Sequence, residues 1–316
     1  TLPSLGGGLL LDDYHCKLLM RGVDSPARLL DSPLDLFRFF DGTLAVVQPM
    51  DYGLLPWWTY PGVRGAFWRP VASLTHWLDY LLWPAWPSLM HLQSILWYAA
   101  AVAVVTVVYR RLMGIGPTAG LAAVLFAVDH AHIMPIGFLS HRSDLIAMVF
   151  VGLALFCHDQ WRRNGSRALA FLAPVFVLVA LWSKEAAISL GAYLLAYELF
   201  IASGPWSRRL LVLAPFILVV VIWRACWQYL GYGVAEMSFY VDPLAQPAQF
   251  VLALIQRAPL LLLGQWAFPP PEVTMVVGTT IEVGLWVAAI LFGAVLVRLF
   301  LPLLRQDRLA RFWATG

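Results

Sequence analysis

Asp12 and Asp13 are the residues of this sequence best suited to chemistry, because they stand side by side in the otherwise apolar run Gly-Leu-Leu-Leu-Asp-Asp-Tyr-His. Carboxylates next to apolar surface cost free energy unless they pair with a cation, bind a metal ion or take up a proton. The plain alternative is that the two residues cap a helix or form ion pairs with Lys17 or Arg21. We expect the pair to belong to a reaction site.

The composition indicates what kind of protein positions these carboxylates. Hydrophobic residues make up 61% of the 316 residues and charged residues only 12%, and the mean hydropathy is +0.75. These values predict an all-α polytopic membrane protein whose immediate partner is the lipid bilayer. The net charge of +3 comes from short basic clusters between apolar runs, which argues against a nucleic-acid partner. The cysteines, Cys16, Cys157 and Cys226, show neither metal-binding nor disulfide spacing.

Apolar runs long enough, or nearly so, to cross a hydrocarbon core of roughly 30 Å predict about seven membrane spans. They lie at residues 90–109, 117–134, 143–160, 168–183, 186–203, 209–230 and 279–304. Residues 250–268 are also apolar, but Arg257 and Pro259 interrupt them, and a further crossing would move the arginine-rich tail to the other side of the membrane. We therefore expect residues 250–268 to form a helix in the outer interface.

The basic residues predict the orientation, because they fall at alternate ends of successive spans and hence on one side. The clusters are Arg110-Arg111, Arg162-Arg163 with Arg167, Arg208-Arg209, and Arg305, Arg308 and Arg311. The positive-inside rule assigns that side to the cytoplasm. The chain then divides into an outer segment with the acidic motif and interfacial helices, a transmembrane core, a second outer segment, and a last span with a basic tail. These parts cover residues 1–86, 87–230, 231–278 and 279–316.

Five short motifs follow one another along residues 9–200. They are Leu-Asp-Asp-Tyr-His at 11–15, Phe-Trp-Arg-Pro-Val at 67–71 leading into Leu78-Asp79-Tyr80, His91-Leu92, Ser-His-Arg-Ser-Asp-Leu at 140–145, and Ser183-Lys184-Glu185. In this order the chain resembles GT-C-type membrane glycosyltransferases. It is most similar to the protein O-mannosyltransferase branch whose animal members carry tetratricopeptide repeats. The resemblance fades after residue 230 and includes no repeat domain.

The resemblance implies a GT-C-like helical bundle that transfers a sugar from a polyprenyl-phosphate carrier to an acceptor on the non-cytoplasmic side, with inversion at the anomeric carbon. A carboxylate must take the proton of the attacking hydroxyl, and the acidic residue in the first loop of this family corresponds to Asp12. Asp13 would support Asp12 electrostatically or share a divalent cation with it. No cofactor follows from the sequence, and the need for a metal ion stays open.

A lipid-phosphate leaving group requires cations near the outer membrane surface. Four basic residues are predicted in the outer segment or near outer ends of spans, and they are our candidates for binding the donor phosphate: Arg69, Arg142, Lys184 and Arg224. The alternative for each is a side chain that only reaches toward lipid headgroups.

Other polar residues are predicted on the same side. Asp129, His130 and His132 form a turn that either joins the site or faces water, and two histidines two positions apart do not match the spacing of a metal site on a helix face. Where relatives often carry a glutamate after this turn, the chain has Met134.

His141, Asp144 and Glu185 complete the candidate site. Glu185 either pairs locally with Lys184 or points into a cavity, where it would orient Arg142 or His141.

The sequence therefore predicts a lipid-phosphate-sugar-dependent glycosyltransferase with Asp12 as general base. The rival interpretation is a non-catalytic scaffold subunit of a larger membrane complex, which the short chain and the lack of a recognisable acceptor-binding domain favour. The sugar and the acceptor, whether protein or glycan, depend on cavity shape that the sequence does not fix. The strong preference for Arg over Lys indicates a bacterial genome of high GC content, and so predicts an inner-membrane protein with a periplasmic active face.

Overall fold

The fold is known from a computed structural model that describes residues 2–21, 32–42, 50, 56–60, 62–237, 240–266 and 278–316. Its helices confirm the prediction of an all-α polytopic membrane protein. They are α1 (Asp12–Arg21), α2 (Pro70–Leu82), α3 (Pro87–Met113), α4 (Pro117–Val128), α5 (Ile133–Gly137), α6 (Arg142–Asn164), α7 (Arg167–Leu181), α8 (Leu190–Ala196), α9 (Trp206–Leu211), α10 (Ala214–Tyr229), α11 (Pro247–Trp266), α12 (Thr279–Gln306) and α13 (Arg308–Thr315).

The membrane spans are fewer and less regular than the sequence predicts. In the described part of the chain, five helices are long and apolar enough to cross a membrane, and a sixth candidate is the pair α4 and α5 with the turn at His130, bent by 44°. The predicted span 168–183 is the shorter helix α7, whose 15 residues cover roughly 22 Å at 1.5 Å per residue. The predicted span 186–203 consists of a 3₁₀-helix (Glu185–Ser189), α8 and a π-helix (Tyr197–Ile201).

Proline places the start of several helices. Pro70, Pro87 and Pro117 each stand in the first turn of α2, α3 and α4, where the missing N–H costs nothing and the fixed φ angle already fits the helix. Gly165 ends α6 with φ of +70°, a left-handed conformation that glycine adopts without steric cost. The sequence therefore contains the boundaries of the elements that carry most of the predicted site.

The core of the bundle lies between α6 and α7 and continues into the helical segment 187–197 and α10. Helices α3 and α6 approach each other closely at Gly152, where an added Cβ atom would lie 2.6 Å from Cγ1 of Val104. A smaller apolar cluster joins α1 to α2 and α6 through Cys16, Ala72 and Ile146. This cluster places the helix that carries the acidic pair against the transmembrane core.

A three-stranded antiparallel sheet, which the sequence did not predict, lies beside the helices. Its order is β1 (Arg38–Asp41), β2 (Arg64–Ala66) and β3 (Gly233–Ala235), and Gly65 pairs with Val234. Residues 38–40 of the outer segment 1–86, for which we expected interfacial helices, thus enter a sheet, whereas residues 70–82 of the same segment form a helix, α2. The sheet ties the first outer segment to the chain that follows α10.

One end of the bundle, which we call the basic end, carries the arginine clusters and a buried ionic network. Asp159 accepts hydrogen bonds from Arg111 (2.5 Å), Arg163 (2.7 Å) and the hydroxyl of Tyr197 (2.9 Å). Glu198, which is 0% exposed, lies 3.0 Å from His158 and 2.9 Å from Arg162. The buried carboxylates of this network are thus paired with cations or hydrogen-bond donors, as carboxylates removed from water must be.

The opposite end, which we call the motif end, carries Asp12 and Asp13. Helix α13 lies at the basic end, because the ring of Trp313 is 5.2 Å from that of Tyr109 and Phe312 is fully buried beside Tyr197. The 28 residues of α12, roughly 42 Å at 1.5 Å per residue, therefore begin toward the motif end.

Residues 250–268 differ from the expected interfacial helix in one respect. Residues 250–266 form most of α11, which is long and apolar enough to span a membrane, and residues 267 and 268 lie outside the described residues. Its start follows Asp242, which is bound to Arg224 near the end of α10, so α11 also begins toward the motif end. Since α11 and α12 begin toward the same end, the tail keeps the side on which the other arginine clusters lie.

The basic end should face the cytoplasm, because its arginine clusters are retained on that side. Cysteines placed at Ser166 and Ser207 should resist a membrane-impermeant thiol reagent in intact cells, whereas a cysteine at the exposed Ser88, at the motif end, should react. The half-buried Cys226 is replaced beforehand to lower the background. Labelling of both Ser166→Cys and Ser207→Cys from outside would reverse the orientation.

Candidate active site

The fold separates the two carboxylates of the acidic pair into one anchored and one exposed group. Asp13 is 1% exposed and accepts hydrogen bonds from the backbone N–H groups of Ser140 (2.8 Å), Leu10 (3.1 Å) and Leu139 (3.4 Å). Burial raises the pKa of Asp13, and these three donors act in the opposite direction. Asp12 is exposed, and it forms no hydrogen bond or ion pair with any residue that the structure describes.

The backbone that leads into the acidic pair is strained at Leu11 and held by a hydrogen bond from α3. Leu11 has φ of +37°, an uncommon conformation for a residue with a side chain, and such strain clusters at functional sites. The ring of the buried His91, near the start of α3, donates from Nε2 to the carbonyl oxygen of Gly8 at 2.7 Å. The position of Asp12 is therefore set by α3 on one side and by Asp13 on the other.

The loop that holds Asp13 also begins a chain of charged groups. His141 Nδ1 lies 3.5 Å from a carboxylate oxygen of Asp144, and the same oxygen accepts from Lys184 Nζ at 2.8 Å. The side chains of Lys184 and Asp144 are 20% and 26% exposed. Three of the predicted site residues thus form one cluster, which links the start of α6 to the end of α7.

Arg69 and Glu185 form a bidentate ion pair in the same region. The guanidinium group donates from Nη2 at 2.7 Å and from Nε at 3.0 Å to the carboxylate, and its carbon lies 4.6 Å from the ring centre of Phe67. The N–H group of Val71 donates to the carbonyl oxygen of Trp182 at 3.1 Å, which docks the start of α2 onto the end of α7. The prediction that Glu185 orients Arg142 or His141 is therefore not what the structure shows, because its partner is Arg69.

Arg142 lies inside the bundle and not at a cavity. It is 0% exposed, and it donates to Asp79 (2.5 Å), to Ser94 Oγ (2.9 Å), to the carbonyl oxygen of Met90 (2.7 Å) and to the side chain of Gln93. Its guanidinium group therefore joins α2, α3 and α6 to one another. This placement differs from our expectation of a phosphate ligand, because the donors of the group face protein acceptors.

Arg224 lies near the end of α10 and lines a cavity of about 460 Å³. It donates to Asp242 at 3.2 Å and stacks over Trp227 at 4.1 Å, and its side chain remains 29% exposed. Glu185 lines the same cavity. The cavity thus connects the Arg69–Glu185 pair with the fourth predicted phosphate ligand.

A second cavity of about 360 Å³ adjoins the first at Ile188 and Val220. It is lined by apolar side chains and Gly191, which come from α7, α10 and the helical segment 187–195. We call the two cavities together the flank groove. It runs from Glu185 and Arg224 along the apolar side of the bundle.

The turn with Asp129, His130 and His132 is not bound to this cluster. Asp129 accepts from the N–H group of Ala131 at 2.9 Å and lies 3.4 Å from His130, and both side chains are well exposed. His132 is buried against Phe126 and Tyr98. In the described ranges no group of three or more His, Cys, Asp or Glu residues is arranged to hold a metal ion.

Sequence reasoning did not select Asp79, His91 and Ser94 as site residues, although the first two stand in the motifs that carry the family resemblance. Each is fully buried and polar, and each holds a group that shapes the site. The signal that could have found Asp79 is a carboxylate in the amphipathic helix α2, where an unpaired charge would be costly. The small residues Ala187 and Gly191, which open the flank groove, gave no comparable signal.

The structure thus describes an integral membrane protein whose motif end carries the exposed carboxylate of Asp12 and the ion-paired cations Arg69, Lys184 and Arg224. Comparison with known proteins adds relatives of that class. "Protein O-mannosyl-transferase Tmtc1" of Drosophila melanogaster is 31% identical over 122 residues, which is 39% of this chain and 14% of that protein. "Protein O-mannosyl-transferase TMTC3" of Mus musculus is 30% identical over 140 residues, which is 43% of this chain and 15% of that protein. No protein-family profile and no solved structure matches the chain.

These relatives are distant homologues, and they confirm the resemblance to membrane glycosyltransferases of the protein O-mannosyltransferase type. The chain spans only about a seventh of their length, 14% and 15%. Both are animal proteins and give no support to the predicted bacterial inner membrane. The apolar helices support an integral membrane location.

Proposed function

We propose that this protein is a membrane glycosyltransferase that moves a sugar from a polyprenyl-phosphate carrier to an acceptor hydroxyl on the non-cytoplasmic side. The observation that carries the proposal is the division of the acidic pair, in which Asp13 is anchored and Asp12 stays exposed and unpaired among the described residues. The names of the two relatives support a mannosyl donor and a protein acceptor. The direct test is transfer from polyprenyl-phosphate mannose to a Ser/Thr-rich peptide by the purified protein in nanodiscs.

The flank groove supports a lipid carrier. One part of it contains Arg224 and Glu185, whereas the other part is lined by apolar side chains and Gly191. A polyprenyl phosphate has the same division between a charged head and a long apolar tail. Burial of the tail in the groove stabilises the complex in proportion to the apolar area covered.

The donor phosphate is best served by Arg224 and Lys184. Each is partly exposed and forms one hydrogen bond to a carboxylate, with Asp242 and Asp144 respectively. Both therefore keep N–H donors for a second anion, and hydrogen bonds between charged partners are the stronger kind. Arg69 is more fully used by its bidentate partner Glu185.

We assign Arg142 a positioning role. It fixes the start of α6 against α2 and α3, and the residues just before it hold Asp13. A change at Arg142 would therefore reach the reaction through the position of the acidic pair and not through contact with the donor.

The proposed reaction is a single displacement. Asp12 takes the proton of the acceptor hydroxyl while its oxygen forms a bond to the anomeric carbon of the sugar. The bond from that carbon to the phosphate oxygen breaks, and the polyprenyl phosphate leaves with the electron pair, stabilised by Arg224 and Lys184. Attack opposite the leaving group inverts the configuration of the anomeric carbon.

The acidic pair fits a shared divalent cation poorly. Both carboxylate oxygens of Asp13 accept backbone N–H groups, Oδ1 from Ser140 and Oδ2 from Leu10 and Leu139. Such oxygens are turned toward positive dipoles, and only Asp12 is left as an unoccupied carboxylate of the pair. The reaction proposed above assigns no step to a metal ion.

A large side chain at Gly191 should block long lipid donors. An added Cβ atom there meets nothing within 4 Å, so Gly191→Phe fills the flank groove without disturbing the helix. We expect KM for a long-chain polyprenyl-phosphate sugar to rise about tenfold, equivalent to the loss of roughly 1.4 kcal/mol of burial. Donors with a two-isoprene chain should be hardly affected. The control is Gly120→Phe, at another open glycine of an apolar helix, and equal KM values for long donors in both variants would remove the groove from the donor site.

Loss of either cation of the proposed phosphate site, Arg224 or Lys184, should weaken donor binding directly. Arg224→Leu and Lys184→Ala each remove a charge-assisted contact worth roughly 1.5–3 kcal/mol, so donor affinity should fall about 10- to 100-fold in each variant. Binding of polyprenyl phosphate is measured in nanodiscs, with Arg257→Leu as a control at an exposed arginine outside the groove lining. Wild-type affinity in the Arg224→Leu Lys184→Ala double variant would exclude both residues from the phosphate site.

A further inference from the structure

A third cavity, of about 480 Å³, lies between β3 and the start of α11, beyond the part of the chain that resembles the glycosyltransferase family. Its volume falls in the range of small-molecule sites, roughly 300–1,000 Å³. Unlike the flank groove, it carries several polar side chains. These are Glu236, Tyr240, Asp242, Gln246 and Gln249.

This polar cavity shares a wall with the flank groove. Val234, Tyr240, Val241 and Asp242 line both. Asp242 is held in the wall because one of its oxygens accepts from Arg224 at 3.2 Å and the other from the N–H group of Leu244 at 2.8 Å. A ligand in the polar cavity therefore lies next to the cation that we assign to the donor phosphate.

The backbone at the cavity is strained. Among the described residues that are not glycine, only Glu236 and Leu11 have positive φ, with +56° at Glu236. Leu11 directly precedes Asp12 in the candidate active site, and Glu236 lines the polar cavity. Strain of this sort persists when the surrounding structure holds the residue in place, and it clusters at active sites and ligand-binding sites.

The polar groups suit a ligand rich in hydroxyl groups. The side chains of Glu236, Gln246 and Gln249 form no hydrogen bond with a residue that the structure describes, and each amide offers both donors and acceptors. A hydroxyl group also donates and accepts, whereas an anion would meet the carboxylates of Glu236 and Asp242. Tyr240 adds an aromatic face, half-exposed, against which the C–H side of a sugar ring can pack.

We propose that this cavity is a saccharide-binding site. The proposal rests on the proposed function, because it is the neighbouring donor site that gives a sugar a reason to be there. The same chemistry would recognise either the sugar carried by the donor or a saccharide of the acceptor. Gln249 and Glu236 are the residues that make the recognition specific for hydroxyl groups.

The test measures sugar binding apart from transfer. Binding of methyl α-D-mannopyranoside to the full chain in nanodiscs is followed by saturation-transfer NMR for the wild type, Glu236→Gln Gln249→Leu, and Gln265→Leu. The last is a matched control, an exposed glutamine at the far end of the same helix α11 and outside the cavity. We expect binding in the wild type and the control, and at least about tenfold weaker binding in the double variant, since two hydrogen-bonding groups are lost. Unchanged binding in the double variant, or no binding in the wild type, overturns the proposal.

Two further measurements separate the possible origins of the sugar and keep the proposal distinct from the reaction. If the site holds the donor sugar, the double variant should raise KM for the donor and leave the affinity for sugar-free polyprenyl phosphate unchanged, which also shows that the variant is folded. If it holds an acceptor saccharide, KM for that acceptor rises instead. Sugar binding that persists in a protein without transfer activity would contradict the proposed function and leave the saccharide site standing.

Discussion

Replacement of Asp12 by Asn should lower the rate of sugar transfer by about 10²-fold or more and leave donor binding nearly unchanged. The substitution keeps the size of the side chain but removes the group that takes the proton. Because Asp12 is exposed and has no hydrogen-bond or ion-pair partner among the described residues, the substitution breaks no such contact within the described part of the chain. Transfer and donor affinity are measured on the same purified protein in nanodiscs. Glu282→Gln, at an exposed acidic residue of α12, is the control and should transfer at the wild-type rate.

Asp13→Asn should behave differently. Its carboxylate accepts three backbone N–H groups, and an amide would place an NH₂ group against one set of them. We expect lower stability of the Asp13→Asn protein together with slower transfer.

A folded Asp12→Asn protein with wild-type turnover would exclude the proposed mechanism. The scaffold interpretation predicts no transfer by any of these proteins, with effects on assembly or expression alone.

Replacement of Arg142 by Met should destabilise the fold by roughly 3–5 kcal/mol, because it leaves the buried carboxylate of Asp79 without its cation. The free energy of unfolding in mixed detergent micelles is the quantity to measure. Arg167→Met, at an exposed arginine at the start of α7, should change it little.

The double variant Asp79→Leu Arg142→Met gives the control for this pair. It removes both charges, so its loss of stability should be clearly smaller than the sum of the two single losses. Additive losses would show that the two residues do not act as a pair. Weaker donor binding by a fully stable Arg142→Met protein would restore the original expectation that Arg142 contacts phosphate.

The sequence is a good guide to which segments approach the site but a poor guide to which side chains pair there. Asp12-Asp13, residues 140–144 and Lys184-Glu185 were all expected at one end, and the structure places them there through contacts from Asp13 to Ser140 and from Lys184 to Asp144. The pairing of Arg69 with Glu185, 116 positions later, depends on how α2 and α7 are rotated against each other. No local pattern encodes that rotation.

The elements that the sequence missed are short or irregular for a physical reason. Strands β2 and β3 have three residues each, too few to show a period of their own, and they pair across about half of the chain, as Gly65 does with Val234. The apolar run 186–203 predicted a regular membrane span. The segment instead contains 3₁₀-, α- and π-helical turns, because an apolar composition is compatible with all three. Hydropathy predicts that such a segment is buried in lipid or protein, but tertiary contacts decide which type of helix it forms.

The buried network at the basic end also bears on how the chain enters the membrane during synthesis. Arg111 precedes its partner Asp159 by 48 positions, and His158 and Arg162 precede Glu198 by 40 and 36. Because the chain is made from its N-terminus, α3 brings Arg111 to the basic end before α6 delivers Asp159, and α6 brings Arg162 there before Glu198 arrives. Each carboxylate is thus synthesised after its cationic partner, and it can form the ion pair as it enters the bundle. A rearranged gene that placed the segment around Glu198 ahead of α6 would have to insert that carboxylate alone.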